Sequence, residues 1–260
     1  MQHKEYHLAL TKADLQGALY ALVTGDPERV APLATFIDAN AYELSHHRGY
    51  VSYLAHFHGQ AIVVASTGIG GPSTAIVLEE LAVLGIRYFF RVGTTGALQA
   101  EIQLGDVIVT EASVRLDGAS THYAPIEYPA AASHQLTQSV VTAATMLEIP
   151  FHLGITVSSD TFYPGQERSH SPDDYIIKRF QGSLNEWQHL KALNYEMESA
   201  TLFTFCRVKG LEAACFCGVI ANRMVTDQPS IEAIKRYQER WFLLATKVLE
   251  VDLEARGMRT

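Results

Sequence analysis

Nine consecutive residues, Asp160-Thr161-Phe162-Tyr163-Pro164-Gly165-Gln166-Glu167-Arg168, bring two aromatics, a Pro-Gly turn, an amide and a guanidinium together. An amide such as Gln166 both donates and accepts, and Arg168 donates through a rigid planar fork. Phe162 or Tyr163 offers a face on which a flat ring can lie. A heterocycle whose edge alternates carbonyl, N–H and carbonyl, as that of uracil does, satisfies this set. The same residues also suit a solvent-facing turn, because Pro164-Gly165 is turn chemistry and Gln, Glu and Arg are ordinary loop residues. Other segments have to decide between the two.

Gly25-Asp26-Pro27-Glu28-Arg29 follows an apolar run. Asp26 can cap a helix and Pro27 suits its first turn, while Gly25 and Arg29 would let an anion approach backbone N–H groups. The segment is not a Walker loop, and Thr67-Gly68-Ile69-Gly70-Gly71-Pro72-Ser73 does not match GxGxxG. In Phe89-Phe90-Arg91-Val92-Gly93-Thr94-Thr95-Gly96, Arg91 interrupts an apolar strand, and a buried guanidinium is costly without an anion beside it. Either a protein carboxylate or a bound phosphate could be that anion, and Gly93 and Thr94 at the strand's carboxyl end favour phosphate. Asn194-Tyr195-Glu196-Met197-Glu198 puts two carboxylates before a helix. They complement its dipole, or Glu198 accepts from the vicinal diol of a ribose. The chain has no GxSxG, no activated cysteine and no lysine in a glycine-rich setting. A phosphate site, a diol acceptor and a pyrimidine-edge reader without a protein nucleophile fit phosphorolysis, in which phosphate is the attacking group.

Positioning these groups needs a folded scaffold. The chain has 260 residues, 48% hydrophobic and 18% charged, which predicts a sizeable core, and its net charge of −8 argues against a nucleic-acid binder. No apolar run is long enough for a membrane span, and Met1-Gln2-His3-Lys4-Glu5 lacks the apolar core of a signal peptide. Cys206, Cys215 and Cys217 read as reduced core residues of a cytoplasmic protein, and the scattered histidines predict no metal site.

Strand-like runs at Ala18–Val23, Ala61–Ser66, Tyr88–Val92, Asp106–Val114, Phe151–Val157 and Ala213–Ile220 are short and mostly apolar on both faces, as in a covered central sheet. Helices are expected from Pro72 to a stop at Gly85, over 134–148 and 196–209, and from a Ser230 cap onward. In the last of these, Ile231, Ile234, Trp241, Ala245 and Val248 form an apolar stripe that Gln238 interrupts. Ser169 to Gln188 is the most polar stretch and reads as a surface flap. With no repeat or linker in view, residues 1–260 are taken as one domain.

Gly25-Asp26-Pro27, Ser66 to Ser73, Arg115-Leu116-Asp117-Gly118-Ala119-Ser120, Ser159 to Arg168 and Asn194 to Thr201, in that order, resemble the nucleoside phosphorylase-I family. The resemblance runs from about His7 to the C-terminal helix and lies with members that act on pyrimidine nucleosides. It implies an α/β fold with a central mixed, partly barrel-like sheet flanked by helices. The implied assembly is a homo-oligomer, a hexamer of dimers. The implied activity is reversible conversion of uridine and phosphate to uracil and ribose 1-phosphate. Phosphate would be a co-substrate, held by Gly25, Arg29, Arg91 and Thr94 together with Arg48 of a neighbouring subunit. Met197 and Glu198 would hold ribose, with a neighbour's His7 at the 5′ hydroxyl. Gln166 and Arg168 would read uracil, with Phe162 along the ring, Tyr195, Glu196 and Ile220 lining the pocket and Arg223 supporting it. Arg168, Gln166 and Arg91 would be the catalytic groups.

Purine-specific relatives carry a Ser-Asp pair where this chain has Asn222-Arg223, so the resemblance favours pyrimidine. Family members can hold a monovalent cation through a glutamate after the arginine matching Arg48, with positions matching Ile69 and Ser73. Here that glutamate is Gly49, which argues against a potassium site. Ala221 replaces a bulkier residue, which implies looser base selectivity. The alternatives are a purine nucleoside phosphorylase, a hydrolytic nucleosidase and a nucleoside-binding protein without turnover.

Overall fold

The computed structural model of the chain describes residues 3–168, 172–226 and 228–258. Strand β1 (Tyr20–Thr24) is buried throughout and leads through a short 3-10 turn into helix α1 (Val30–Ile37). Strands β2 (Tyr42–His47), β3 (Tyr50–Phe57) and β4 (Gln60–Ser66) form an antiparallel meander, and β4 runs parallel to β1. Helix α2 (Gly71–Leu84) follows, with Pro72 in its first turn and Gly85 as its stop. Strand β5 (Tyr88–Ala97) lies parallel to β1. Strand β6 (Val107–Leu116), the short β7 (Ala130–Ala131), helix α3 (His134–Met146) and strand β8 (Phe151–Ser159) come next. Helix α4 (Ser183–His189), strand β9 (Asn194–Glu196), helix α5 (Ser199–Val208), strand β10 (Glu212–Asn222) and helix α6 (Ile231–Ala255) complete the chain.

The ten strands form one mixed sheet in the order β10-β6-β8-β9-β5-β1-β4-β3-β2, with β7 on β6. Strand β10 also pairs with β5, so β10, β6, β8, β9 and β5 close into a five-stranded barrel while β1 to β4 extend from it. This is the mixed, partly barrel-like sheet that the resemblance implied. Three-residue β9 completes the ring, antiparallel to β5 at Gly96–Tyr195 and parallel to β8 at Ser158–Glu196.

Two large apolar clusters cover the faces of the sheet. One joins α1, α3 and α6 to Tyr20, Leu22, Phe90 and Phe216, and the other joins α2 and α5 to Ala21, Val23, Phe89 and Cys215. Alternate residues of a strand thus feed opposite layers, and the strands read as continuous apolar runs for that reason. The three cysteines are free and buried, and no helix among the described residues is long and apolar enough to cross a membrane.

Several element boundaries differ from the sequence reading. Residues 194–196, expected in part at a helix start, form β9, and α5 begins only at Ser199. The β2–β3 hairpin was not expected, because β2 is polar and largely exposed. In α6 Ile231 is 68% exposed and Ala233 takes the inward position, while Trp241, Ala245 and Val248 do line the buried face. The expected flap contains a 3-10 turn at Lys178–Phe180 and helix α4, and residues 169–171 lie outside the described residues.

Candidate active site

Strands β1, β4 and β5 are parallel, and the carboxyl ends of β1 and β4, Thr24 opposite Ser66, lie beside the middle of the longer β5, Val23 opposite Arg91. Gly93 and Thr94, expected at the carboxyl end of their strand, lie within it, since β5 runs on to Ala97. A bond from Thr67 N–H to the Thr24 carbonyl (2.8 Å) joins the loops after β1 and β4. Over these ends lies a cavity of about 580 Å3. Gly25, Arg29, Arg91 and Thr94 line its floor, and Phe162, Gln166, Arg168, Tyr195, Met197 and Ile220 line its far side. Ile69 and Pro229 also border it. This placement agrees with the rule that ligands of such sheets gather beyond the carboxyl ends of strands.

At the floor, Arg91 is 4% exposed and surrounded by carboxylates. Its Nε donates to Glu196 Oε2 at 3.0 Å and its Nη2 pairs with Glu198 Oε2. Burial alone would push this guanidinium down, but Glu198 and Glu196 more than offset that, so it is held firmly cationic. The protein-carboxylate partner that competed with phosphate in the sequence reading is therefore present. Nη1 nevertheless has no hydrogen-bond partner among the described residues. A Cβ on Gly25 would stand 3.9 Å from that same Nη1, so the Gly25 backbone and the unsatisfied donor face one another. Arg29 is the second cation. Burial pushes its guanidinium down, Arg91 adds like-charge repulsion, and Asp26, 3.7 Å away, opposes both. A buried guanidinium, Arg91, and a partly buried one, Arg29, that repel each other beside an unpaired N–H donor make a site for an oxyanion.

The two glutamates play different parts. Glu196 accepts from the backbone N–H groups of Glu198 and Ser199 (both 2.9 Å) and from the Ser199 hydroxyl, besides Arg91. It caps α5 and holds Arg91, so its carboxylate serves the scaffold although the residue borders the cavity. Glu198 accepts the Gly70 N–H at 2.6 Å and Arg91 Nη2. The Met197 backbone also bonds this carboxylate, and of the roughly four acceptor positions of its two oxygens one is left that a ribose hydroxyl can use. Burial raises the Glu198 carboxyl above the ordinary range and Arg91 opposes the rise.

Across the cavity, the Arg168 guanidinium lies over the Phe162 ring at 4.0 Å and makes a long hydrogen bond (3.4 Å) from Nε to Gln166 Oε1. The three side chains expected to read the base thus form one unit. Ile220 reaches the cavity because β10 shifts register against β5 between Val219 and Ala221, and such a bulge re-aims a side chain. Tyr195 is fixed through its backbone. Thr95 Oγ1 donates to the Tyr195 carbonyl (2.6 Å) and accepts from Asn194 (2.8 Å), whose amide oxygen accepts from Thr156 in the barrel interior. Arg223 is buried with its guanidinium carbon 5.8 Å from the Tyr195 ring centre and does not border the cavity.

Arg48 and His7 lie outside this cavity. Arg48 and Gly49 form the two-residue turn of the β2–β3 hairpin with φ of 51° and 84°, a turn that favours glycine at its second position. Arg48 Nη1 bonds Tyr6 Oη (3.2 Å), His47 bonds the His7 carbonyl (3.0 Å), and His7 Nδ1 meets Glu80 at 2.7 Å. The two residues assigned to a neighbouring subunit therefore share one exposed patch. Ser73 donates to the Thr67 carbonyl (2.5 Å) and shares a hydrogen bond with Tyr50 (3.0 Å), while Ile69 is exposed at the cavity edge. Asn222, expected to mark base preference, spends its amide on the Gln99 and Ile102 carbonyls and supports the loop between β5 and β6.

Sequence reasoning missed Thr95, Gly96 and Pro229 as cavity residues. Gly96 carried a signal in retrospect. A Cβ there would come within 3.4 Å of Arg223 and 3.8 Å of Arg168, so glycine leaves room for two guanidinium side chains.

Residues 19–250 match the model of the phosphorylase superfamily, and the chain belongs to that family. Among its relatives, the uridine phosphorylase of Salmonella typhimurium is 53% identical over 231 residues, covering 89% of this chain and 91% of that protein. The uridine phosphorylase of Escherichia coli strain K12 is 52% identical over the same shares. That of Haemophilus influenzae is 51% identical over 235 residues, covering 90% of this chain and 93% of its own length.

Proposed function

We propose that the protein cleaves uridine with phosphate, giving uracil and ribose 1-phosphate, and runs the reaction in both directions. The observation that carries this reading is the pairing of an oxyanion floor, Arg29 and Arg91, with an amide–guanidinium wall, Gln166 and Arg168, in one cavity. Relatives named uridine phosphorylase, aligned over about nine-tenths of the chain, support the choice of base.

In this mechanism phosphate sits on the floor, positioned by Arg29, Arg91 and Thr94, and orientation supplies a large part of the rate. The bond from C1′ to the base lengthens first. Positive charge develops on the ribose beside the phosphate dianion, and the bonding pair departs with uracil. Arg168 and the Gln166 amide N–H groups donate to the carbonyl oxygens on which that negative charge accumulates, and they bind the anion better than the neutral base. Glu198 holds the ribose hydroxyls. Phosphate oxygen then closes on C1′.

The patch bearing Tyr6, His7 and Arg48 supports an assembly in which each subunit completes its neighbour's site, at least a dimer and by resemblance a hexamer of dimers. A glycine at position 49, where family members can carry a glutamate, supports catalysis without potassium, and we propose no cofactor beyond the phosphate co-substrate. Free, buried cysteines support a cytoplasmic location. Release of the free base should be measured with uridine (uracil), thymidine (thymine) and inosine (hypoxanthine), each with and without phosphate and potassium. Uridine is expected to react fastest, only with phosphate and equally well without potassium. Faster inosine cleavage, or release without phosphate, would establish one of the alternatives.

A further inference from the structure

Glu167 stands between the two base-reading residues and faces the other way. It holds left-handed backbone, φ 51° and ψ 48°, an uncommon conformation for a residue with a side chain. Its carboxylate accepts the Leu184 N–H at 2.7 Å and also the Gly182 N–H, seventeen and fifteen residues along the chain. Gly182 is the N-cap of α4, has no side chain to offer, and itself sits at φ 81°. A remote carboxylate therefore does what a local Ser or Asp usually does at a helix start.

Helix α4 is in turn tied to the body of the protein. Leu184 and Trp187 pack against Leu98, Val157 and Tyr195, and the Gln99 amide bonds the Gln188 and Ala192 carbonyls at 3.1 and 2.8 Å. Within 160–168 several hydrogen bonds are internal, Gly165 N–H to Thr161 Oγ1 and Arg168 N–H to the Tyr163 carbonyl among them. At its start the segment is anchored by Asp160, which accepts the Gly118 N–H at 2.6 Å, and at the end that carries Gln166 and Arg168 the Glu167 pair reaches out to a fixed helix.

We propose that Glu167 is a positioning residue for base recognition: by clamping the start of α4 it sets where Gln166 and Arg168 stand over the cavity. This rests on the reading that those two residues hold uracil. The left-handed turn at 167 sends its side chain away from the pocket, so the clamp acts through the backbone of its neighbours. Neither bond of the Glu167 carboxylate involves Arg29 or Arg91, the groups assigned to phosphate.

The test is steady-state kinetics of Glu167→Ala, Glu167→Gln and Arg168→Ala, with both substrates varied and the assay run well below each variant's Tm. Glu167→Ala is expected to lower kcat/KM for uridine by about tenfold, as a misplaced group does, while the phosphate KM stays within about twofold. Glu167→Gln, which keeps one carbonyl acceptor, should recover part of the loss. A parallel rise in the phosphate KM, or an unchanged kcat/KM for uridine in Glu167→Ala while Arg168→Ala is impaired, would overturn the inference. An unchanged uridine KM and turnover in Arg168→Ala would instead remove the base-site reading beneath it. If the alanine variant does not fold, Glu167→Gln decides, since the same split is expected at smaller size.

Discussion

Replacing Arg91 with methionine probes the floor of the site with two separate readouts. The substitution keeps most of the side chain's volume and removes the charge that Glu196 and Glu198 share. Both carboxylates are almost fully buried, and breaking a buried pair by removing one partner costs about 3–5 kcal/mol. For a chain of this size that corresponds to a Tm lower by roughly 10 °C. Acid should relieve the damage. In the parent, burial already holds the Glu198 carboxyl above the ordinary range, with Arg91 pulling it back. Without Arg91 the folded-state pKa rises further. A group raised in the folded state contributes most below its unfolded pKa, and that contribution is lost as pH rises toward the folded value. The stability gap between variant and parent should therefore be smaller at pH 5 than at pH 8, by thermal denaturation in matched buffers. The same variant should need far more phosphate for half-maximal rate, because the unpartnered Nη1 goes with the rest of the group. A gap that stays constant or widens in acid would refute the electrostatic argument, and an unchanged phosphate dependence would take Arg91 out of the phosphate site.

Three further outcomes follow from the same geometry. Arg168→Ala should lower kcat by roughly 10²–10³, the usual loss for a donor aimed at developing negative charge, with little change in the phosphate KM; equal turnover of variant and parent would reject that role. Gly93→Ala should destabilise the protein by about 1–3 kcal/mol in denaturant titrations, because the new methyl would meet Cys217 Sγ at 2.6 Å and Arg91 Nη2 at 3.0 Å. A neutral result there would show that the packing around Arg91 yields easily. Arg48→Ala and Arg168→Ala subunits, each impaired alone, should regain activity when refolded together, because mixed dimers contain one site with both arginines. No gain on mixing would mean that Arg48 does not serve a neighbour's site.

The order of β-strands and helices around Gly25 and Arg91 was legible because each of those strands is a short apolar run buried on both sides. The polar hairpin strand β2 was not, since its residues face solvent and carry no periodic signal. Strand β9 was hidden for the opposite reason. It is three residues long, and its place is set by the Thr95 and Thr156 hydroxyls that bond Asn194, partners from distant segments that no local pattern records. The site's chemistry was better exposed than its wiring. An arginine inside an apolar strand announced a buried anion, yet spacing could not reveal that Glu196 and Glu198 already share it while one nitrogen remains unsatisfied. Nor could it show that Glu167 faces a helix rather than the base beside its neighbours. Arg48 and His7 were assigned by resemblance alone, and their common surface patch away from the cavity is consistent with service to another subunit.

The most direct measurement of the central claim is the initial rate of uracil release from uridine as phosphate is titrated from zero, with the sugar product followed by phosphorus NMR. The account expects no release at zero phosphate, saturation as phosphate rises, and one ribose 1-phosphate for each uracil. Release that persists without phosphate and leaves free ribose would contradict it.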